Sequence, residues 1–354
     1  MRTTLTLLAI LAATSSAAFA QWTLETSNST ADLRGIHSIG GGVAWASGTN
    51  GTVLRTEDGG YVWQSCSVPP GAEKLDFRGI QAFDANTAIV MSSGPGDLSR
   101  LYKTTDGCHS WKLVFSNPDK DGFWDAILLN RFDKDGELLG DPVAGKFAFW
   151  ETEDKGTTWT RIHAKGLDAA KDEGAFAASN TSILLDEGFG TAFVTGGPVG
   201  ARIFYSEDTS EKGSFTVQKL PLIVGSTGAG AFSIENREWC CWVVVGGDYT
   251  KPTEQNLTAA FTQDGGRSWQ ASATPPHGYR SAVAYHPSAK TWITVGPNGT
   301  DISTDDGKNW RALHPDPALH EASDADRNWN ALSLPFVVGP HGRIGKLDDA
   351  VLKH

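Results

Sequence analysis

Short runs of alternating apolar and polar residues, separated by glycine-rich turns, follow one another from Trp22 to Leu347, and no stretch keeps the period of an amphipathic helix. Several of these runs open at an aromatic residue: Trp63, Trp111, Trp159, Phe215, Trp269 and Trp310. A Thr/Ser-x-Asp-x-Gly-x-x signature precedes each. Full copies run from Thr56 to Trp63, Thr152 to Trp159, Thr262 to Trp269 and Ser303 to Trp310. The copy from Thr104 to Trp111 carries Cys108 in the glycine slot, and the one from Ser206 to Phe215 is stretched by two residues. An Asp-Gly turn supplies the positive φ of a tight hairpin, the Asp and Ser/Thr side chains cap turn amides, and the aromatic ring buries at the head of the next strand. Asp58, Asp106, Asp154, Asp208, Asp264 and Asp305 are therefore read as structural. A carboxylate held by turn amides is not free for a substrate.

The run from Trp22 to Thr26 matches the strand that follows the signature but lacks what precedes it. The segment from Trp329 to Leu347 looks like a unit without its last strand. Joining the two ends gives seven complete units of about 41 to 56 residues, the period of four-stranded propeller blades. The expectation is an all-β, seven-bladed β-propeller whose ring is closed by the N-terminal strand. The 40 glycines and 13 tryptophans among 354 residues agree with many short strands joined by tight turns. A closed ring is one unit, so residues 21–354 are expected to form a single domain despite their length.

Residues 1–20 stand apart. Arg2, an apolar run from Leu5 to Ala13 and the tripeptide Ala18-Phe19-Ala20 read as a secretory signal cleaved after Ala20, which predicts a secreted or periplasmic protein. The run is too short to span a bilayer, and no other segment is read as a membrane span. A formal net charge of −11 denies the chain a basic footprint for nucleic acid. No strand leads into a glycine-rich turn and helix, so no dinucleotide is expected and no cofactor is assigned. Zinc is not expected either, with no His or third Cys at ligand spacing. Asn117-x-Asp119-x-Asp121-Gly122 opens like a calcium loop, but Leu128 stands where the closing glutamate belongs, so it is read as a surface turn. Cys66 and Cys108 fall in neighbouring units and could bridge them. Cys240 and Cys241 read as buried small hydrophobes in an apolar strand, with a vicinal disulfide as the alternative.

The signature Thr-x-Asp-x-Gly-x-x-Trp resembles the Asp-box of bacterial neuraminidase-type repeats. From about residue 22 to 347 the chain is similar to secreted propellers of the photosystem II stability/assembly factor type, and Leu33-Arg34-Gly35-Ile36 and Phe77-Arg78-Gly79-Ile80 strengthen that likeness. The resemblance implies a binding or assembly protein more than a defined catalyst. Asp-box propellers also include sialidases, xyloglucan-cleaving hydrolases and sorting receptors, so the motif speaks for architecture.

If each blade runs A-B-C-D with the signature in its C–D turn, the A–B turns share that face, and the D–A and B–C connections form the opposite one. Near the starts of A strands lie Arg34, Arg78, Asp125, Glu173 and Arg280; just after B strands lie Asp141, Asp248, Tyr249, Asn298 and His341. Arginines with interspersed carboxylates at a channel mouth suit an anionic ligand, such as a carboxylated sugar or a protein C-terminus. Arg34, Arg78, Asp125, Arg280, Asn298 and His341 are thus the ligand-binding candidates. The alternative is that these charges pair with one another inside the channel, and for Asp141 and Asp248 that they form Asx turns. Asp141, Glu173, Asp248 and Tyr249, with Tyr279 as a second tyrosine, are the catalytic candidates that a sialidase-like reading would use. Against that reading, Arg-Gly-Ile replaces the sialidase Arg-Ile-Pro, and no Tyr and Glu pair is assignable by spacing. The expected function is an exported, monomeric binding module that engages a protein partner or an anionic glycan through the face opposite the signature turns. A glycoside hydrolase or uronate lyase is the alternative.

Overall fold

A computed structural model describes residues 21–130, 135–186, 190–206, 214–317, 321–348 and 352. The N-terminal segment read as a secretory signal and the signature residue Asp208 lie outside the described residues. The strands form seven antiparallel sheets of four, arranged as the blades of a propeller. The first strand, β1 (Trp22–Glu25), belongs to the last blade. Blade 1 is built from β2 (Leu33–Gly40), β3 (Val43–Gly48), β4 (Val53–Thr56) and β5 (Gln64–Ser65). Blade 2 holds β6 (Phe77–Ala82), β7 (Ala88–Ser92), β8 (Arg100–Thr104) and β9 (Lys112–Ser116). Blade 3 holds β10 (Trp124–Leu129), β11 (Gly136–Val143), β12 (Lys146–Thr152) and β13 (Thr160–Arg161). Blade 4 comprises β14 (Ile183–Asp186), β15 (Gly190–Val194), β16 (Arg202–Tyr205) and β17 (Thr216–Lys219). In blade 5 are β18 (Ala229–Glu238), β19 (Cys241–Asp248), β20 (Ala259–Thr262) and β21 (Gln270–Ala271). Blade 6 follows with β22 (Ala282–His286), β23 (Thr291–Gly296), β24 (Gly299–Ser303) and β25 (Arg311–Leu313). Blade 7 has only β26 (Ala331–Ser333), β27 (Phe336–Val338) and β28 (Ile344–Leu347) of its own. Its fourth strand is β1, paired antiparallel with β28 from Trp22 opposite Leu347 to Glu25 opposite Ile344.

Closure follows from the repeat, because a blade with three strands leaves an open edge that the orphan N-terminal strand completes. The apolar core divides among the gaps between neighbouring blades, each gap filled by side chains from both sheets. The signature tryptophans belong to these gaps. Trp63, Trp111, Trp159 and Trp310 are buried against the preceding blade and Trp269 packs there partly buried.

The signature turns repeat one hydrogen-bond pattern. In blade 1 the Thr56 hydroxyl donates to Asp58 Oδ1 at 2.8 Å and accepts the Gly60 amide at 3.0 Å, while Asp58 Oδ1 accepts the Val62 amide at 3.0 Å. The hydroxyl-to-carboxylate bond recurs at Asp106, Asp154, Asp264 and Asp305. Cys108 adopts the positive φ, 66°, that the turn asks of a glycine. Its sulfur is bonded to Cys66, with Cα atoms 5.3 Å apart, so blades 1 and 2 are covalently joined. Cys240 and Cys241 take the alternative, a vicinal disulfide: they are bonded to each other where the turn after β18 enters β19, with Cys240 half-buried beside exposed Trp239 and Cys241 buried as the first residue of β19. The segment that opens like a calcium loop is tied down as a turn. Asp119 is ion-paired with Arg161, and Asn117 Oδ1 accepts the Asp119 amide. No helix among the described residues is long and apolar enough to cross a membrane.

Candidate functional site

Where the inner strands begin, opposite the signature turns, a cavity of about 500 Å³ occupies the centre of the ring. β-Bulges decide which side chains enter it. The register of β2 against β3 shifts between Leu33 and Gly35, that of β6 against β7 between Phe77 and Gly79, and that of β10 against β11 between Trp124 and Ala126. A fourth shift lies between Ala231 and Ser233 on β18. The extra residues at these points are Arg34, Arg78, Asp125 and Phe232, and all four line the cavity. A bulge leaves one residue out of the ladder and re-aims its side chain, which is why equivalent slots of four blades converge on one volume. Gly35 and Gly79, the glycines after the two arginines, allow the close packing this needs. A side chain at Gly35 would meet the Arg78 carbonyl at 3.1 Å, and one at Gly79 would meet Asn180 Oδ1 at 2.6 Å.

Asn180 belongs to the connection between blades 3 and 4, which enters the channel and divides it. Ala175 to Ala178 floor the upper cavity, and Ser179 to Thr181 roof a second cavity of about 520 Å³ below. The segment is fixed from several sides: Arg78 Nη1 donates to the Ala177 carbonyl at 3.1 Å, Ser179 Oγ to the Ser281 carbonyl at 2.7 Å and Thr181 Oγ1 to Ser233 Oγ at 2.8 Å. Phe176 stacks on Phe232 with centroids 3.8 Å apart, and Tyr279 meets Phe232 edge-on at 4.7 Å. These rings make one wall apolar.

The opposite side is charged. Asp76 holds both arginines, accepting from Arg78 Nε at 2.8 Å and standing 3.8 Å from Arg34 Nε. Asp125 is 1% exposed, and its Oδ2 has no partner among the described residues. Burial, reinforced by neighbouring Asp141 and only partly opposed by Arg78, raises its pKa well above the usual carboxylate range. Asp141 occupies the matching register shift on β11, between Gly140 and Pro142. Burial pushes it to about 6, against the Ala175 amide that donates to its Oδ1 at 3.0 Å. Burial, and next to it Tyr249, raises Tyr279. Tyr249 itself is exposed at the rim.

Arg34, Arg78, Asp125, Asp141, Tyr249 and Tyr279 therefore share one cavity, and Arg280, Asn298, Glu173, Asp248 and His341 do not line it. Arg280 stands in the slot of Arg34 and Arg78, but no register shift precedes β22. Strand alternation then turns Tyr279 and Ser281 to the cavity and Arg280 into the blade, where it is fully buried and ion-paired with Asp301. Asn298 serves that pair, accepting from Arg280 Nη1 and donating to the His277 carbonyl. Glu173 is buried and spoken for by Arg202, Thr195 Oγ1 and the Ala170 amide. Asp248 forms an Asx turn: burial would raise it, yet bonds from Thr250 and Ser226 hold it below the usual range. His341 is solvent-exposed, its amide bound to Asp32.

Sequence reasoning missed Asp76, Phe176 and Phe232. The repeat held a signal for two of them. Asp32-Leu33-Arg34 and Asp76-Phe77-Arg78 are parallel triplets, and Phe232 fills the arginine slot in Ala231-Phe232-Ser233-Ile234. For Phe176 the cue is faint, the run of small residues around it that lets backbone thread a narrow channel.

No known family model matches the chain, and no curated protein matches it in sequence. Among solved structures the fold is similar to that of "YCF48 bound to D1 peptide", with a TM-score of 0.64 and 16% identity over 93% of this chain and 97% of that one. YCF48 from Cyanidioschyzon merolae is similar at a TM-score of 0.63 and 18% identity, over 93% of this chain and 99% of that one. A GH74 xyloglucanase from Xanthomonas campestris is similar at a TM-score of 0.60 and 15% identity, over 93% of this chain but 54% of the enzyme. At such identities the likeness is one of fold.

Proposed function

We propose that this chain is an exported, monomeric binding module that receives an anionic and partly apolar end of a protein partner in the upper cavity. One observation carries the reading: Arg34 and Arg78, oriented by a shared Asp76, face the aromatic wall of Phe176, Phe232 and Tyr279 across a cavity of about 500 Å³. Guanidinium groups bind carboxylates through charge-assisted hydrogen bonds, and the wall takes an adjacent apolar side chain. A propeller of the same fold has been solved bound to a peptide, which favours a protein partner over a glycan. The test is fluorescence anisotropy with a hydrophobic peptide bearing a free C-terminal carboxylate, against the same peptide amidated. Arg34→Ala and Arg78→Ala should each weaken the free acid by about tenfold or more, with the melting temperature unchanged in Arg34→Ala. Binding unchanged in both variants, or equal for acid and amide, would refute the reading. Export predicts that Edman sequencing of the secreted protein starts at Gln21.

A second reading rests on Asp125 and Asp141, two carboxyl groups held towards their neutral forms beside arginines, as an acid catalyst on a uronate or sialoside would require. Product analysis with acidic oligosaccharides tests it. Turnover abolished by Asp141→Asn would support the enzyme, and no turnover would leave the binder.

A further inference from the structure

Two features of the upper cavity are not explained by a simple anion cradle. It contains a carboxyl pair, and it contains buried polar atoms that make no hydrogen bond among the described residues. Asp125 and Asp141 come from facing register shifts on β10 and β11. Asp125 is 1% exposed and lines the cavity; among the described residues its Oδ2 has no hydrogen-bond partner, and the buried Nε of Arg34 across the cavity has none either, Asp76 standing 3.8 Å from it. Around the pair stand Arg78 and Asp76 from blade 2, Arg34 from blade 1, Tyr249 from blade 5 and Tyr279 from blade 6. From the connection into blade 4, Glu173 lies close by but is committed to Arg202.

The charges decide what can enter. The two arginines and Asp76 leave one positive charge in excess. Full ionisation of Asp125 and Asp141 would turn this into one negative charge in excess, and an anion would be repelled. One proton on the pair brings the cavity to neutrality, and a second restores the positive excess. A protonated Asp125 also becomes a hydrogen-bond donor, so its buried oxygen, Arg34 and Arg78 would all present donors to one acceptor. A cation is disfavoured because it would have to sit beside both guanidinium groups.

We propose that the Asp125 and Asp141 pair is a proton-linked part of this site: a carboxylate ligand binds to Arg34 and Arg78 together with a proton, which the pair takes from solvent and uses to hydrogen-bond the ligand. The inference rests on the reading of the cavity as the seat of an anionic partner end. It adds that capture tightens as the medium acidifies and names a carboxylate as the ligand group. Burial raises both carboxyl groups, Asp141 to about 6, so the pair loses protons in a range where a peptide C-terminus, with a pKa of about 3.5, stays ionised. The ligand carboxylate therefore brings no pH dependence of its own.

The experiment is isothermal titration calorimetry of the free-acid peptide between about pH 5 and pH 8, in two buffers of different ionisation heat. Affinity should fall by up to about tenfold per pH unit as the pair ionises, and the buffer difference should report uptake of up to about one proton per peptide. Asp125→Asn keeps a donor of the same shape but cannot titrate, so the variant should bind at neutral pH with a flattened pH profile. Asp141→Asn gives the same readout should Asp125→Asn fail to fold, which melting curves reveal. Wild-type affinity that is constant across this range and involves no proton uptake, yet is still lost in Arg34→Ala, would overturn the acid pair and leave the binding site standing. Absence of binding at every pH would overturn the site, and the proposal with it.

Discussion

Arg280 and Arg34 occupy equivalent slots of the repeat, so substituting each separates a structural arginine from a ligand-facing one. The Arg280 side chain is 1% exposed and that of Asp301 fully buried. Arg280 donates to Asp301 from Nε at 2.9 Å and from Nη2, to the Tyr279 carbonyl at 2.9 Å and to Asn298 Oδ1 at 2.5 Å. In Arg280→Leu the Asp301 carboxylate stays buried with the backbone amide and ring of His277 as its remaining partners. Removing one partner of a buried pair costs roughly 3–5 kcal/mol. At about 2 cal/mol/K per residue, the unfolding entropy of a ring this size is about 0.7 kcal/mol/K, so the melting temperature should drop by about 4–7 °C. Differential scanning calorimetry at neutral pH measures the shift. The double variant Arg280→Leu/Asp301→Leu should recover most of the loss, because it removes both desolvated charges. A drop of under about 1 °C in the single variant, or lost peptide binding with an unchanged melt, would refute the assignment of Arg280 to the blade interior.

Other consequences are open to the same methods. Cys66→Ser opens a bridge between residues 42 apart in sequence, and chain-entropy reasoning puts the loss at about 4 kcal/mol, to be read from urea unfolding with and without reductant. Asp154→Ala removes a carboxylate that accepts the Thr157 and Thr158 amides, and should cost about 1 kcal/mol without altering peptide affinity. Against partial burial, bonds from Thr158, Thr152 and Thr157 bring Asp154 down to about 2, so its contribution is complete above the usual aspartate range and fades as pH falls towards 2. Asp141 behaves in the opposite sense. Its folded pKa of about 6 exceeds the unfolded value, so the native state binds the proton more tightly and stability declines as pH rises from about 4 to about 6. Asp141→Asn should therefore stabilise at neutral pH, by at most roughly 3 kcal/mol, and not at pH 4; equal effects at both would contradict the burial of this carboxyl.

The ring was legible in the sequence because its signals are local. Thr56, Asp58 and Gly60 close their turn through contacts spanning four residues, so each copy announces a hairpin wherever it stands. Counting copies counts blades, and a first strand without its blade together with a last blade without its strand implies the closure that β1 and β28 make. The end of the ring where Arg34, Arg78, Asp125, Asp141 and Tyr249 meet was legible for the same reason, since antiparallel order assigns every connection to one of two faces.

Which of those residues share a cavity was settled only by tertiary structure. Arg34 and Arg280 sit in the same slot of the repeat, yet one extra residue in the ladder of β2 turns the first to the channel, and its absence before β22 turns the second into the blade. Nothing within a few residues of either predicts that shift. It depends on the opposing strand and on what packs beyond it. The same holds for Asp76, which gains its role from two arginines on different blades, and for Phe176, carried into the channel by a connection that is held by Arg78, Ser233 and Ser281. Turn chemistry is decided between near neighbours and can be read from the chain. The direction of a side chain at a bulge, and the floor of a cavity, are decided by contacts between residues as much as a hundred positions apart, as between Ser179 and Ser281.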